Sequence, residues 1–149
     1  MPIRDLADFA RVAAADHNFC VIATTRDNGT IQASVVSAGV MRHPVGADDA
    51  VVCVALGGSR KLANLRVRPA TTVVASNGGA WITVEGRAVL IGPDDPLPGV
   101  EPALLPQLLR DAFRAAGGSH DDWDTYDRVM AEERRALIVV TPTRVYSNA

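Results

Sequence analysis

The chain has 149 residues, of which 48% are hydrophobic, and this suits a single domain with a substantial core. Its net charge of −2 and pI of about 5.9 argue against a general nucleic-acid-binding protein, whose domain is usually basic. No apolar run approaches the ~20 residues that a membrane-spanning helix needs, and the N-terminus lacks the apolar core of a signal peptide. We therefore expect a cytoplasmic protein without a membrane span. Cys20 and Cys53 lie in apolar runs and are predicted to be buried thiols.

Apolar spacing and turn residues divide the first part of the chain into one helix and three strands. The helix, 4–15, is amphipathic, and the residues on its apolar face are Leu6, Phe9, Val12 and Ala13. The strands are predicted at 18–25, 30–40 and 50–56. An Asn28-Gly29 turn separates the first two strands, and this pair is among the stronger signals for a hairpin.

The second part of the chain alternates between short helices and strands. A helix begins with Ser59 as its N-cap and stops before Pro69. Strands follow at 70–76 and 80–91, and Gly86 inside the second of these predicts a bulge or a close approach by another group. Apolar stripes predict helices at 100–116, where Leu104 belongs to the stripe, and at 121–135, where Trp123 and Tyr126 are core residues. The last strand, 136–141, passes Pro142 and reaches 145–146, as one strand or two.

Hairpins without βαβ repeats predict a mainly antiparallel sheet in one domain, 1–149. Several strands are apolar on both faces, for example at Val51-Val52 and at 137–140, whereas the strands of a half-solvated sheet would alternate between apolar and polar residues. Such strands need cover on both sides. We therefore expect a closed barrel whose outer face is partly covered by a partner chain.

The stretch Gly57-Gly58-Ser59-Arg60-Lys61 predicts an anion site. Two cations in the first turn of a helix are unfavourable, because a helix N-terminus carries partial positive charge. A phosphate would join them by accepting from backbone N–H groups, the Ser59 hydroxyl and both side chains. Asn64 lies one turn further on the same face, and Lys61 is the only lysine among 15 basic residues. The alternative is an ordinary solvated first turn.

Most other catalytic patterns are absent. The three histidines have no metal-ligand spacing, and there is no nucleophile elbow, P-loop or dinucleotide fingerprint. The acidic pairs Asp94-Asp95 and Asp121-Asp122 sit in turns or at a helix start, where capping explains them. We predict no metal and name no catalytic residue, so an enzyme would need a cofactor that brings its own chemistry.

Several segments of the chain resemble a known protein family. The similar segments are 20–25, 27–29, 32–34, 59–65 and 84–88, together with His120-x-x-Trp123-x-x-Tyr126 and Arg144-Val-Tyr146. They resemble the deazaflavin (coenzyme F420)-dependent group of the pyridoxamine-phosphate-oxidase-like, flavin-binding split β-barrels.

The resemblance implies a six-stranded antiparallel split β-barrel with flanking short helices and a helical excursion at about 97–135. It also implies a homodimer with two cofactor sites at the interface. In that family the lysine of K-x-x-N-L lies at the cofactor phosphate, which corresponds to Lys61 with Asn64 nearby. Arg60 stands one residue after the position where some relatives place an arginine, here Ser59. The positions that correspond to the ring contacts are Gln32, Ser34, Val35, Val36 and Ala55. Trp81 either stacks on the ring from the second subunit or packs in the core.

The leading functional hypothesis is a reductase that uses F420H2 to pass a hydride to an electron-poor small molecule, such as a conjugated carbonyl, a quinone or a tetrapyrrole. Arg66 and Arg68 are candidates for contacting the acidic oligoglutamate tail of F420, or are simply solvated charges. Two alternatives stay open: an FMN-dependent oxidase or reductase of the same fold, and a non-enzymatic F420-binding or storage protein.

Overall fold

The computed structural model describes residues 5–148, which form six strands and four α-helices. The elements are α1 (Leu6–Ala15), β1 (Phe19–Thr25), β2 (Ile31–Arg42), β3 (Asp49–Ala55), α2 (Arg60–Val67), β4 (Ala70–Asn77), β5 (Ala80–Ile91), a 3-10 turn (Pro102–Leu104), α3 (Leu105–Ala115), α4 (Trp123–Glu132) and β6 (Ala136–Ser147). The strands close into a barrel in the order β1-β2-β3-β6-β5-β4, with every neighbouring pair antiparallel. The predicted mainly β, six-stranded antiparallel barrel is therefore confirmed.

The helix boundaries differ from the prediction for local reasons. The predicted helix 100–116 begins only at Leu105, because the ring of Pro106 would clash with a helical carbonyl four residues earlier and fits only in a first turn. Leu104 lies outside the buried face and is 52% exposed, so its assignment to the apolar stripe was wrong. α4 is capped by Asp122 and ends before Arg134, whose φ of +50° is not helical. Residue 4 of the predicted first helix lies outside the described residues.

The barrel interior forms the larger of two cores. Inward-facing residues of all six strands meet Phe9 and Ala13 of α1 and Leu62 and Leu65 of α2 there. α1 begins at a capping box in which Asp5 and Asp8 bond to each other's backbone N–H groups. Two of the four helices thus belong to the barrel core itself.

The second core lies outside the barrel, where α3 and α4 cover the outer faces of β3 and β6. Val52, Leu137 and Val139 pack there against Leu109 and Tyr126. The predicted core role of Trp123 and Tyr126 is confirmed, because Trp123 packs against this cluster and the Tyr126 hydroxyl donates to the Leu109 carbonyl at 3.1 Å. For these strands the chain's own helices supply the cover that the sequence analysis assigned to a partner chain.

The outer face of β1 and of residues 31–37 of β2 has no such cover, whereas α3 packs on the second half of β2, where a Cβ on Gly39 would meet the Ala115 carbonyl. Val21 lies opposite Val35, and Thr25 lies opposite Ile31. Residues opposite each other share a sheet face, so these side chains all point outward. Four large apolar residues on this face are exposed, namely Phe19, Val21, Ile31 and Val35, the last of them by 66%. In the described chain no helix would be long and apolar enough to cross a lipid bilayer.

Two irregularities shape the barrel. The first is the predicted feature at Gly86, which is confirmed: the register of β5 against β6 shifts between Glu85 and Gly86, and a Cβ on Gly86 would lie 2.2 Å from the Thr141 carbonyl oxygen. β6 nevertheless continues through Pro142 as one strand. The second is a split along β2, whose residues 31–37 pair only with β1 while 38–42 pair only with β3.

Candidate functional site

The N-terminus of α2 lies where β3 leaves the barrel through Gly57 and Gly58. Ser59 occupies the N-cap position, as predicted, but its side chain makes no capping hydrogen bond, and the first turn holds no acidic residue. The first-turn N–H groups therefore receive no acceptor from the cap side chain. This leaves donors and partial positive charge at the N-terminal end of α2.

Arg60 and Lys61 add two full charges to that helix end. Arg60 is exposed and Lys61 is half-buried. Within residues 5–148, no carboxylate lies within salt-bridge distance of either side chain. Two cations and an uncapped helix terminus at one place give an electropositive corner with nothing in the described chain to neutralise it.

A cavity of about 220 Å³ opens beside this corner. Its walls are Arg60 and Asn64 on α2 and, opposite them, the hairpin turn that joins β1 to β2, Arg26 to Asn28. Arg26 bonds to the Thr30 hydroxyl and the Ile31 carbonyl, which turns its guanidinium toward its own hairpin. The cavity thus has arginines on two separate walls, together with the carboxylate of Asp27, which pairs with Arg68 at 2.8 Å.

A chain of hydrogen bonds links α2 to two strands below it. Asn64, only 3% exposed, donates from Nδ2 to the Thr24 hydroxyl at 3.0 Å. Thr24 is only 1% exposed, and its hydroxyl donates to Oε1 of Gln32 at 3.1 Å. Asn64 and Gln32, predicted as phosphate-side and ring-side residues, are thus joined through a residue that the sequence analysis did not select.

Two buried hydroxyl groups have no hydrogen-bond partner among residues 5–148. They are Ser34 Oγ on the inward face of β2 and Ser59 Oγ at the N-cap of α2. Buried hydroxyls are normally satisfied, and an orphaned one calls for an unseen partner such as a water or a ligand. Both residues were selected from the sequence as cofactor contacts.

The remaining predicted residues do not all face this corner. Val36 faces inward and packs on the barrel core, whereas Val35 points outward on the uncovered face. Ala55 is 2% exposed inside the core, so it has little surface with which to contact a ligand, and its assignment as a ring contact gains no support.

Trp81 is also remote from the corner within one chain. Its ring meets the edge of Tyr146 with centroids 6.1 Å apart. It lines a different cavity, of about 340 Å³, with α1 residues such as Val12 and Arg11. A ring contact from Trp81 therefore requires a second subunit, which is one of the two alternatives that the sequence left open.

Arg66 and Arg68, the predicted tail contacts, are neither free nor simply solvated. Arg66 is held by both carboxylate oxygens of Asp95, and Arg68 bonds to the Thr25 carbonyl and to Asp27. Asp94 and Asp95 accordingly act as ion-pair partners of Arg134 and Arg66 and not as helix caps. The uncommitted cations of α2 are Arg60 and Lys61 within the described chain.

Cysteine and metal chemistry are not supported by the geometry. Both thiols are free and buried, as predicted, and burial raises the pKa of Cys20 and of Cys53 to about 12. The positive charge of Lys61 acts on the Cys53 pKa in the opposite direction, but the effect of burial is larger. Among residues 5–148 no group of three or more His, Cys, Asp or Glu side chains is arranged to hold a metal ion.

Thr24 and the Arg26–Asn28 wall are functional candidates that were not predicted from the sequence. The hairpin register was the missing signal. The Gly29 N–H donates to the Arg26 carbonyl and closes a turn, and Gly29 itself has a φ of +85°. The hairpin loop therefore has three residues. That loop places Thr24 opposite Gln32, whereas a two-residue Asn28-Gly29 loop would have placed Thr25 there.

Together these groups fit a phosphate-bearing cofactor. The electropositive corner supplies charge and N–H donors, the two orphaned hydroxyls supply further donors, and the Gln32 amide supplies a hydrogen-bonding edge on the inner face of β2. Nothing in the described corner supplies a nucleophile or a metal. The site can therefore bind and orient, and the reactive group must come with the ligand.

Comparisons with known proteins agree with this fold. A family model described as pyridoxamine 5'-phosphate oxidase matches residues 6–149. A pyridoxamine 5'-phosphate oxidase-related, FMN-binding protein from Nostoc punctiforme is 14% identical with a TM-score of 0.65, covering 99% of this chain and 86% of its own. An F420 reductase is 17% identical with a TM-score of 0.57, covering 86% and 88%. A heme-binding protein from Mycobacterium smegmatis is 20% identical with a TM-score of 0.61, covering 99% and 55%.

Proposed function

The chain belongs to the pyridoxamine 5'-phosphate oxidase family, and we propose that within it the protein is an F420H2-dependent reductase. Its substrate is an electron-poor small molecule such as a conjugated carbonyl, a quinone or a tetrapyrrole. The observation that carries the proposal is the pair of unpaired cations, Arg60 and Lys61, at the uncapped N-terminus of α2. The sequence resemblance to the deazaflavin-dependent group supports F420 as the cofactor.

Lys61 and the first turn of α2 bind the cofactor phosphate. A compact ammonium and several N–H donors converge on one anion there, and the Ser59 hydroxyl gains the partner that it lacks. Gln32 and Ser34, on the inner face of β2, contact the polar edge of the ring system. Asn64 fixes the distance between these two regions through its bond to Thr24.

The arginines around the 220 Å³ cavity favour F420 over FMN. FMN ends at its phosphate, whereas F420 continues into an acidic tail. Arg60 and Arg26 stand on two walls of a cavity next to the phosphate corner, so they can accept further negative charge beyond it. They replace Arg66 and Arg68 as tail contacts, because Asp95 and Asp27 already neutralise those two guanidinium groups. Arg26, in contrast, bonds only to a neutral hydroxyl and a carbonyl of its own hairpin.

When bound, the deazaflavin supplies the hydride from C5, and the chain provides the setting for its transfer. The corner around Lys61 holds one end of the cofactor and Gln32 holds the other, which restricts the reacting atoms to a narrow range of geometries. Apolar strand residues exclude water from the ring face. The chain would hold the cofactor and the acceptor together, and solvent would supply the proton that accompanies the hydride.

The uncovered outer face of β1 and β2 is the homodimer interface in this proposal. Val35 and Ile31 are 66% and 60% exposed, and Val21 and Phe19 extend the same patch. A patch of this kind on one sheet face is typical of an interaction site. Val35→Glu is expected to give a monomer by light scattering and to lose cofactor affinity. Leu104→Glu, an exposed apolar residue on the 3-10 turn, is the control and should leave the dimer intact.

The decisive experiment measures F420 and FMN affinity on the purified protein by fluorescence titration. We expect tighter binding of F420, and we expect Arg26→Ala and Arg60→Ala to weaken F420 binding more than FMN binding. An acceptor screen with F420H2 then tests turnover. A yellow preparation with tightly held FMN would favour the FMN-dependent alternative. Tight F420 binding without turnover of any acceptor would favour a storage protein.

A further inference from the structure

The Thr24 hydroxyl joins two amide side chains that belong to different parts of the proposed site. It carries one proton, and that proton is donated to Gln32 Oε1 at 3.1 Å. The same oxygen accepts from Asn64 Nδ2 at 3.0 Å. Because the hydroxyl has a single proton, Thr24 couples the two amides: the one that does not accept this proton donates to the hydroxyl oxygen, and here Gln32 accepts while Asn64 donates.

This arrangement determines which atoms the two amides present. Gln32 uses its oxygen on Thr24, so both hydrogens of its Nε2 group stay available, since no described residue accepts from them. Asn64 uses an Nδ2 hydrogen on Thr24 and borders the cavity beside Arg60. A donor pair on β2 suits a ring carbonyl oxygen, which is an acceptor.

Burial argues that the hydroxyl is kept for these bonds. Thr24 is 1% exposed, and a buried hydroxyl costs free energy unless it is hydrogen-bonded. Valine has nearly the same shape, has high β-propensity and would fill the position without that cost. Both partners of this hydroxyl are predicted cofactor residues, although they stand on α2 and β2.

We propose that Thr24 is a positioning residue of the cofactor site, which holds the Gln32 amide with its N–H groups toward a carbonyl of the bound ring and ties that amide to Asn64 on the phosphate-binding helix. This inference rests on the proposed function, because it needs a ring-bearing phosphate cofactor at the same site. It assigns to Thr24 an effect on affinity that is separate from its effect on folding.

The test compares Thr24→Val, Thr24→Ser and Thr71→Val in F420 and FMN titrations, with thermal unfolding measured alongside. Thr71 is the matched control: it is 6% exposed on β4, and its hydroxyl donates to the Ala23 carbonyl at 2.8 Å, so valine removes a buried bonded hydroxyl of the same kind outside the site.

Loss of one buried hydrogen bond predicts about 5- to 30-fold weaker cofactor binding by Thr24→Val. Thr24→Ser keeps the hydroxyl and should stay within about threefold of the wild-type protein. Thr71→Val should lower the unfolding temperature but not the affinity.

A double-mutant cycle tests whether Thr24 acts through the amide. In a Gln32→Ala background, Thr24→Val should weaken binding much less than it does alone, because the amide that it orients is gone. Thr24→Ala, which adds no methyl group against the two amides, replaces the valine variant if that protein does not fold. Unchanged affinity in a folded Thr24→Val or Thr24→Ala variant, or equal losses in Thr24→Val and Thr71→Val, would overturn the positioning role. A wild-type protein that binds neither F420 nor FMN would instead overturn the proposed function, and the inference with it.

Discussion

The guanidinium of Arg66 is held by both carboxylate oxygens of Asp95, with Nε–Oδ1 and Nη2–Oδ2 distances of 2.8 Å. This pair fastens the C-terminal part of α2 to the segment that leaves β5. At the other end of α2, the Gly57 N–H donates to the Glu133 carbonyl at 3.1 Å, just before β6. The helix that carries Lys61 is therefore anchored at both ends to the segments that flank the helical excursion.

Replacing Asp95 with Asn should loosen this anchor. The variant keeps the shape of the side chain but loses its charge, and since Arg66 is partly exposed we expect a loss of about 0.5–1 kcal/mol in the free energy of unfolding. Cofactor affinity should fall as well, because α2 is less firmly placed. Asp111→Asn, on the surface of α3, is the control, since its ion pair with Arg114 is loose at 3.8 Å. Identical behaviour of the two variants in chemical denaturation and F420 titration would contradict this role for Asp95.

Removing the Lys61 ammonium should weaken F420 binding directly. Loss of a charge-assisted hydrogen bond to phosphate predicts that Lys61→Ala raises the Kd by an amount equivalent to about 1–3 kcal/mol. Arg128→Ala removes one positive charge from the exposed surface of α4 and controls for net charge. Unchanged affinity in Lys61→Ala, measured by fluorescence titration at fixed ionic strength, would remove this residue from the site.

Gly57 is expected to tolerate no side chain. A Cβ at this position would lie 2.6 Å from the Arg134 carbonyl oxygen and 2.8 Å from that of Glu133, both backbone atoms that cannot turn away. Gly57→Ala should therefore destabilise the protein by about 1–3 kcal/mol and displace the start of α2. Gly79→Ala adds the same methyl group in open space and should be nearly neutral in thermal unfolding. Equal stability of the two variants would show that the loop can move aside without cost.

The pair of Asp94 with Arg134 predicts a pH dependence of stability. Hydrogen bonding to the Arg134 guanidinium holds the Asp94 pKa below its ordinary value of 3.8. A carboxyl with a lower pKa in the folded chain stabilises the fold above its unfolded pKa, and this contribution disappears as the pH falls through the folded value. Wild type should therefore be more stable than Asp94→Asn at pH 6, and the difference should shrink below about pH 4. A difference that grows on acidification would contradict the ion pair, and Arg134→Gln should reproduce the Asp94→Asn profile.

Both cysteines should be unreactive while the protein is folded. Burial raises the pKa of each thiol from 9.0 to about 12, so little thiolate exists at pH 8 and reagents cannot reach it. An aromatic disulfide reagent should modify the native protein roughly 100-fold more slowly than the unfolded chain. In the unfolded chain both thiols should react. Rapid reaction of one thiol in the native state would place Cys20 or Cys53 near a surface opening.

Much of the fold was predictable from local pattern. The hairpin at Asn28-Gly29, the bulge at Gly86 and the bounds of β5 follow from turn residues and apolar spacing. The start of α3 was not predicted, because the apolar stripe outweighed the positional constraint from Pro106. The cover on β3 and β6 was assigned to a partner because the sequence does not show which sheet face α3 and α4 occupy.

The candidate site was predictable in part. Ser59, Arg60 and Asn64 could be placed at one helix end, because helical spacing alone puts them together. Thr24 could not be found in this way, since its two bonds depend on a hairpin register and on a contact 40 residues away. The ion pair of Arg66 could not be predicted for the same reason, because a free arginine and one paired with a residue 29 positions later look identical in sequence.

Periodicity, turn residues and the two glycines before Ser59 were thus sufficient to identify the strands, the barrel class and the electropositive helix end, because each depends on neighbouring residues. The packing of distant segments settled which polar groups neutralise one another, and it left Arg60, Lys61 and the Ser34 and Ser59 hydroxyls without partners in the described chain. Hydrogen bonds and ion pairs act over a few ångströms, so the closing of the barrel, and not the order of residues, selects which pairs form.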